Sequence, residues 1–201
     1  MSTLVVTAVP AERDALVAAG CSADVLVAGV GPAEAAARTS AALAGGSYRL
    51  VLSVGVGGGF APLAPGDVAV ASAIVFADLG AVTADGFATA SELGFGREAY
   101  AVEPALGVQL ADRTGGHLGT ILTVATVTGS AAGADALIAR YPDAVAEGME
   151  GAGVAAAALA RGVAVGEIRA ISNLVGPRDR GAWQIPLALT TLGRAVTAAL
   201  A

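Results

Sequence analysis

Glu12, Glu150 and the pair Ser172-Asn173 stand out in this chain because each follows an apolar, strand-like run, where a strand hands over to a helix or loop. A carboxylate in such a place can take a proton from water or hold a sugar hydroxyl, and an amide can donate to a ring nitrogen or carbonyl oxygen. Gly55-Val56-Gly57-Gly58-Gly59 follows the run Leu50 to Val54 and would let the backbone approach a ligand and present N–H groups to it. Each feature also has a plain structural account. Acids favour helix starts, Ser and Asn cap turns, and glycines make tight turns. As a dinucleotide fingerprint the glycine run is poorly placed, since it follows the third strand rather than the first.

The elements that position these residues can be read from the pattern. Leu4 to Val9 is a β-branched run followed by Pro10, which suits the first turn of a helix carrying Glu12 and Leu16. Strand-like runs recur at Val25 to Val30, before a helix from Pro32 to Leu43, and at Leu50 to Val56, Thr120 to Val127 and Val165 to Ile171. Continuous apolar strands alternating with helices predict an α/β fold with a mostly parallel central sheet covered by helices on both faces. Val68 to Phe76 is strand-like without a preceding helix, so the sheet is expected to be mixed. Ala152 to Ala160 reads as a helix stopped at Arg161-Gly162. Gly176 to Gly181 reads as a mobile loop before a closing helix from about Trp183 to Leu200. All four chemical features then lie at carboxyl ends of strands, where open α/β sheets bind ligands.

Composition narrows the classes. Hydrophobic residues make up 55% of the chain and the mean hydropathy is +0.71, which raises the question of a membrane protein. The apolar runs around Val25 to Ala33 and Gly151 to Ala160 end at Glu34 and Arg161, short of the roughly 18 apolar residues a spanning helix needs. The first residues lack a basic segment and soon meet Glu12, Arg13 and Asp14, so no secretory signal is read and a cytoplasmic location is expected. A net charge of -6 argues against a nucleic-acid surface. One cysteine, Cys21, and one histidine, His117, give neither a disulfide nor a zinc cluster, and no metal or cofactor is expected. No compositional shift marks a linker, so residues 1–201 are expected to form one domain.

With Glu12 after the first strand, the Gly55 to Gly59 run followed by Gly66-Asp67-Val68, the Met149-Glu150-Gly151-Ala152 turn and the Arg169-Ala170-Ile171-Ser172 strand in this order, the chain resembles the nucleoside phosphorylase and nucleosidase superfamily over nearly its whole length. It is similar above all to the nucleosidases related to methylthioadenosine/S-adenosylhomocysteine nucleosidase. Val75 to Ala81 and Ser172 to Arg178 further resemble the futalosine hydrolase branch, which acts in a menaquinone pathway.

The resemblance implies cleavage of the N-glycosidic bond of a purine nucleoside by water, through an oxocarbenium-like sugar. Glu12 would position and activate the water, and Glu150, beside Met149, would hold the ribose hydroxyls. Two carboxylates near one pocket would also oppose each other's ionisation. Asn173 stands where adenosine-type nucleosidases carry an aspartate, and its NH₂ can donate to O6 or N7 of a 6-oxopurine. Val56 replaces a serine often found in the glycine run, and Ala132 an aromatic residue that often stacks on the base; Phe60 or Trp183 would compensate. Gly57, Gly58 and Ser172 complete the expected substrate contacts. Phe60 rather than an arginine follows the glycines, which favours hydrolysis over phosphorolysis. Futalosine carries a benzoate on the 5′ side of its sugar, for which Arg178 or Arg180 are candidates. The partners implied are a purine nucleoside, water and a second copy of the chain in a homo-oligomer.

Overall fold

The computed structural model describes residues 2–201. The chain opens with two strand–helix units, β1 (Thr3–Thr7) with α1 (Pro10–Ala18) and β2 (Asp24–Val27) with α2 (Pro32–Gly45). Strands β3 (Leu50–Gly59) and β4 (Val68–Phe76) follow, then a hairpin of β5 (Gly80–Thr83) and β6 (Gly86–Thr89), and β7 (Ala99–Ala101). The remainder is α3 (Pro104–Thr114), β8 (His117–Thr123), α4 (Ala131–Arg140), β9 (Ala144–Gly148), α5 (Gly151–Ala160), β10 (Ala164–Leu174) and α6 (Ile185–Leu200). Pro10, Pro32 and Pro104 each sit at a helix start, where a fixed φ helps and the missing N–H is not needed. The α5 helix stops at Arg161, with Gly162 at φ +65°, as the Arg-Gly stop predicts.

The sheet is mixed and mostly parallel, in the order β10-β4-β8-β9-β3-β1-β2, and β10 also pairs with β3, so that five strands close into a ring. Pairs β1–β2, β1–β3, β3–β10, β4–β8 and β8–β9 are parallel, whereas β4–β10, β3–β9 and β4–β7 are antiparallel. Helices cover both faces. Leu16 of α1, Leu110 of α3 and Leu192 and Val196 of α6 pack with Val5, Leu52 and Ile168, while Ala35 and Leu43 of α2 and Val154 of α5 pack with Leu4, Val6 and Val51. Successive residues of β1 thus enter opposite cores, which is why its centre, Leu4 to Val6, is apolar throughout instead of alternating. Among the described residues no helix is long and apolar enough to cross a membrane.

Beyond shifts of a few residues, as where the run Val25 to Val30 is strand only to Val27, three differences from the sequence pattern bear on the site. β8 ends at Thr123, and the expected extension to Val127 becomes loop that lines a pocket. Trp183 precedes α6 instead of starting it, after a short 3-10 turn at Arg180–Ala182 that Asp179 caps through the N–H of Gly181. The largest difference is at Gly55 to Gly59, which is strand and not turn: it pairs with Arg169 to Leu174 along β10. None of these glycines has a positive φ. They are required by crowding. A Cβ on Gly55 would lie 2.6 Å from Oε1 of Glu12, one on Gly57 2.7 Å from the carbonyl of Glu147, and one on Gly59 2.8 Å from Ile171.

Gly57→Ala therefore forces the backbone of β9 aside and is expected to destabilise the fold by about 1–3 kcal/mol. Thermal unfolding should show Tm lowered by about 2–4 °C per kcal/mol. An unchanged Tm would show that β9 yields without cost.

Candidate active site

β1, β3 and β10 run parallel, so their carboxyl ends meet on one side of the sheet. β9 crosses β3 only at Gly58 and Gly59 and brings its own carboxyl end to the same place. There lies a cavity of about 600 Å³, within the range of small-molecule sites. Glu12, Gly57, Gly58, Met149, Glu150, Ser172, Asn173, Arg178 and Trp183 all line it. Phe60 does not: it follows the last residue of β3 and is buried with Val75, Ala77 and Leu122 in a separate core. Ala132 also stands outside the lining, which leaves Trp183 as its one aromatic side chain among the described residues.

Glu12 is the third residue of α1 and almost fully buried. Its Oε2 accepts from the N–H of Ala8 at 2.9 Å and of Val9 at 3.2 Å, and its Oε1 from Val56 at 2.9 Å. The helix-start role and the pocket role are both realised, since the Val9 bond is an N-cap contact. A carboxylate offers about four acceptor positions, so the three bonds leave one for a water in the cavity. Burial pushes the Glu12 pKa above the ordinary carboxylate range, against the lowering effect of the Val56 N–H, Arg169 and the other two N–H groups.

Glu150 precedes α5 and is fixed by Gly31, Met149 and Arg169. Its Oε1 accepts from the N–H of Gly31 at 3.1 Å, and its Oε2 from the N–H of Met149 at 3.3 Å and Nη1 of Arg169 at 3.2 Å. Gly31 has φ +91°, a conformation that suits only glycine. The expected mutual repulsion of Glu12 and Glu150 is not what raises Glu12: burial does, and the Arg169 guanidinium acts on both carboxylates.

Arg169 is 1% exposed. Its Nε donates to Glu167 at 2.8 Å, Nη1 to Glu150 and to the carbonyl of Val56 at 3.5 Å, and Nη2 to Ser53 at 3.3 Å. Burial alone would lower its pKa, but Glu167, Glu150 and Glu12 together raise it, so it stays a cation. Burial likewise raises the Glu167 pKa, opposed chiefly by Arg169.

Ser172 and Asn173 both reach the cavity because β10 bulges there: Ile171 pairs with Gly57 and Asn173 with Gly58, leaving Ser172 as the extra residue. In a regular strand, neighbours point to opposite faces. The Ser172 hydroxyl donates to Oδ1 of Asn173 at 2.7 Å, and Nδ2 of Asn173 donates to the carbonyl of Leu174 at 2.9 Å. One amide N–H remains for a ligand.

The sequence reading missed Glu147, Thr128 and the central role of Arg169. Glu147 lines the cavity and accepts from the Thr128 N–H at 2.9 Å and its hydroxyl at 2.5 Å. Burial pushes its pKa up, against those two bonds. The one signal in the sequence was a second carboxylate three residues before Glu150, near the end of the short strand β9. Arg169 was visible as one cation inside the apolar run Ile168 to Ile171. At the mouth, the Arg178 guanidinium lies 5.7 Å and that of Arg180 5.9 Å from the Trp183 ring centre. Of the two, only Arg178 lines the cavity.

Known proteins similar to this chain identify its family. Residues 16–201 match the phosphorylase superfamily. The futalosine hydrolase of Streptomyces coelicolor is 51% identical, covering 98% of this chain and 94% of that protein. That of Acidothermus cellulolyticus is 48% identical, covering 97% and 88%. Among solved structures, the S-adenosylhomocysteine nucleosidase of Streptococcus pyogenes, in complex with 5-methylthiotubericidin, superposes with a TM-score of 0.85 at 19% identity, over 100% of this chain and 96% of that one, which shows the shared fold. The chain belongs to the phosphorylase superfamily and, within it, to the family of the futalosine hydrolases.

Proposed function

We propose that this chain hydrolyses the N-glycosidic bond of futalosine, releasing hypoxanthine and dehypoxanthine futalosine, in menaquinone biosynthesis. The observation that carries the proposal is the convergence of Glu12, Glu150 and Asn173 on one cavity, in a chain about half identical to futalosine hydrolases. As the bond between the sugar C1′ and purine N9 breaks, its electron pair leaves with the purine. The Asn173 N–H donates to N7 or O6 and stabilises that charge, and solvent supplies the proton the base finally takes. Glu150 accepts from the ribose hydroxyls with Met149 against the sugar, and the nearby carboxylates favour the positive charge developing there. Water held by Glu12 adds to C1′ and gives Glu12 a proton, which returns to solvent. A carboxylate-lined cavity repels phosphate, which favours water as the nucleophile. At the mouth, Arg178 and Trp183 are placed for a benzoate, by ion pairing and ring contact.

The test is chromatographic analysis of the products from futalosine, inosine and methylthioadenosine, with and without phosphate. Hypoxanthine released from futalosine at a phosphate-independent rate supports the proposal; preference for methylthioadenosine or a need for phosphate refutes it.

Glu12→Gln should lower kcat by about 10²-fold or more, because an amide cannot take the proton from water. The structure adds a second effect. The new NH₂ must face one of three backbone N–H donors, so Tm should also fall, by an amount matching about 1–3 kcal/mol. Near wild-type kcat would reduce Glu12 to a helix cap. Asn173→Asp should weaken cleavage of futalosine at neutral pH and raise relative activity on its 6-amino analogue, since an ionised carboxylate opposes a carbonyl but accepts from an amine. A kcat/KM ratio that does not move towards the amino substrate would remove Asn173 from base recognition.

A further inference from the structure

Glu147 is a buried carboxylate in the cavity wall to which the reaction above gives no task. Its place relative to Asn173 is set by register. Gly58 of β3 pairs with Asn173 of β10 on one side and with Glu147 of β9 on the other. In-register neighbours rise on the same face of a sheet and stand about 5 Å apart, so the two residues flank the glycine at about 10 Å between Cα atoms. The Val175 side chain closes over Gly58 itself, since a Cβ there would lie 2.8 Å from its Cγ2 and 3.6 Å from Nδ2 of Asn173, and Asn173, Val175 and Glu147 line one cavity. An amide donor and a carboxylate acceptor thus both stand in the wall of that cavity.

Glu147 is also held in place. Each of its oxygens accepts one bond from Thr128, Oε1 from the N–H at 2.9 Å and Oε2 from the hydroxyl at 2.5 Å, and each keeps a further acceptor position. A purine edge inserted between the two side chains would meet a donor on one side and an acceptor on the other. A 6-oxopurine matches this order, with acceptors at N7 and O6 and, next to O6, a donor at N1–H. A 6-aminopurine does not, because its N1 is an acceptor and would oppose the carboxylate.

We infer that Glu147 is a specificity-determining residue that accepts a hydrogen bond from N1–H of the leaving base, so that Glu147 and Asn173 together select 6-oxopurine over 6-aminopurine nucleosides. The inference rests on the proposed nucleosidase activity and names the part of the cavity that holds the base. A role confined to bracing the Thr128 loop would affect all substrates alike.

The experiment measures kcat/KM for futalosine and its 6-amino analogue, and binding of free hypoxanthine and adenine by calorimetry, in wild type and Glu147→Gln. The oxo-to-amino ratio is expected to fall at least about tenfold in both readouts, since a charge-assisted bond to N1–H is lost and the amide NH₂ can donate to N1 of the amino base. If Glu147→Gln does not fold, Thr128→Val carries the same readout: it keeps the carboxylate but removes the hydroxyl that orients it, and the ratio should fall severalfold. An unchanged ratio overturns the inference, whether both substrates lose activity equally or neither does. Failure of the wild-type protein to cleave futalosine would instead refute the proposed function, and the free-base ratio would still decide the role of Glu147.

Discussion

A single buried cation organises this molecule. The Arg169 guanidinium lies inside the sheet, and a charge in that position is tolerated only when paired and hydrogen-bonded. Glu167, Glu150, Ser53 and the Val56 carbonyl supply the partners. Its bulk also explains the glycines around it. A Cβ on Gly55 would lie 2.7 Å from Nη1, and one on Gly148 2.8 Å from Cζ. Gly55 on β3 and Gly148 at the end of β9 are thus the imprint of Arg169, whereas Gly57, Gly58 and Gly59 make room for the Glu147 carbonyl, Val175 and Ile171.

The same cation separates two kinds of carboxylate. Glu167 lies behind it, fully buried, and Glu12, Glu147 and Glu150 face the cavity. Arg169 itself is outside the cavity lining, so its charge supports the site without presenting a cation to the substrate. In the proposed reaction a nucleoside would meet carboxylates at the sugar and base, which suits a sugar that becomes positive as its bond to the purine breaks. The hydrogen-bond geometry divides the work: Glu12 and Glu150 are mostly saturated by backbone N–H groups and Arg169, so each is rigid and keeps little more than the acceptor capacity its role needs.

Much of this was legible in the sequence because it rests on local rules. Apolar runs of strand length, prolines at helix starts and the Arg161-Gly162 stop gave the α/β architecture, and strand ends located Glu12, Glu150 and Asn173. What escaped depends on contacts distant in sequence. Gly55 to Gly59 read as a turn because glycine usually signals conformational freedom, whereas here it signals the proximity of Arg169, Glu12 and the β9 backbone. Phe60 read as a stacking residue because of its place after the glycines, but the strand continues to Gly59 and delivers it to a core with Leu122. Glu147 was missed because β9 is short and lacks an apolar pattern strong enough to fix its parity. The bulge at Ser172, which brings two consecutive residues into the cavity, is a property of pairing and has no sequence signature of its own.

We propose that the Arg169 charge keeps Glu12, the base of the proposed reaction, in use despite its burial. In that role Glu12 must be ionised, so kcat/KM should fall as pH drops through its raised pKa, and Arg169 opposes that rise. The most direct measurement is the pH dependence of kcat/KM for futalosine in wild type, Arg169→Lys and Arg169→Met. The acid limb is expected to move to higher pH in Arg169→Met and to stay closer to wild type in Arg169→Lys, which keeps the charge. An acid limb that does not move in Arg169→Met would contradict it and assign the ionisation of Glu12 to its backbone N–H donors alone.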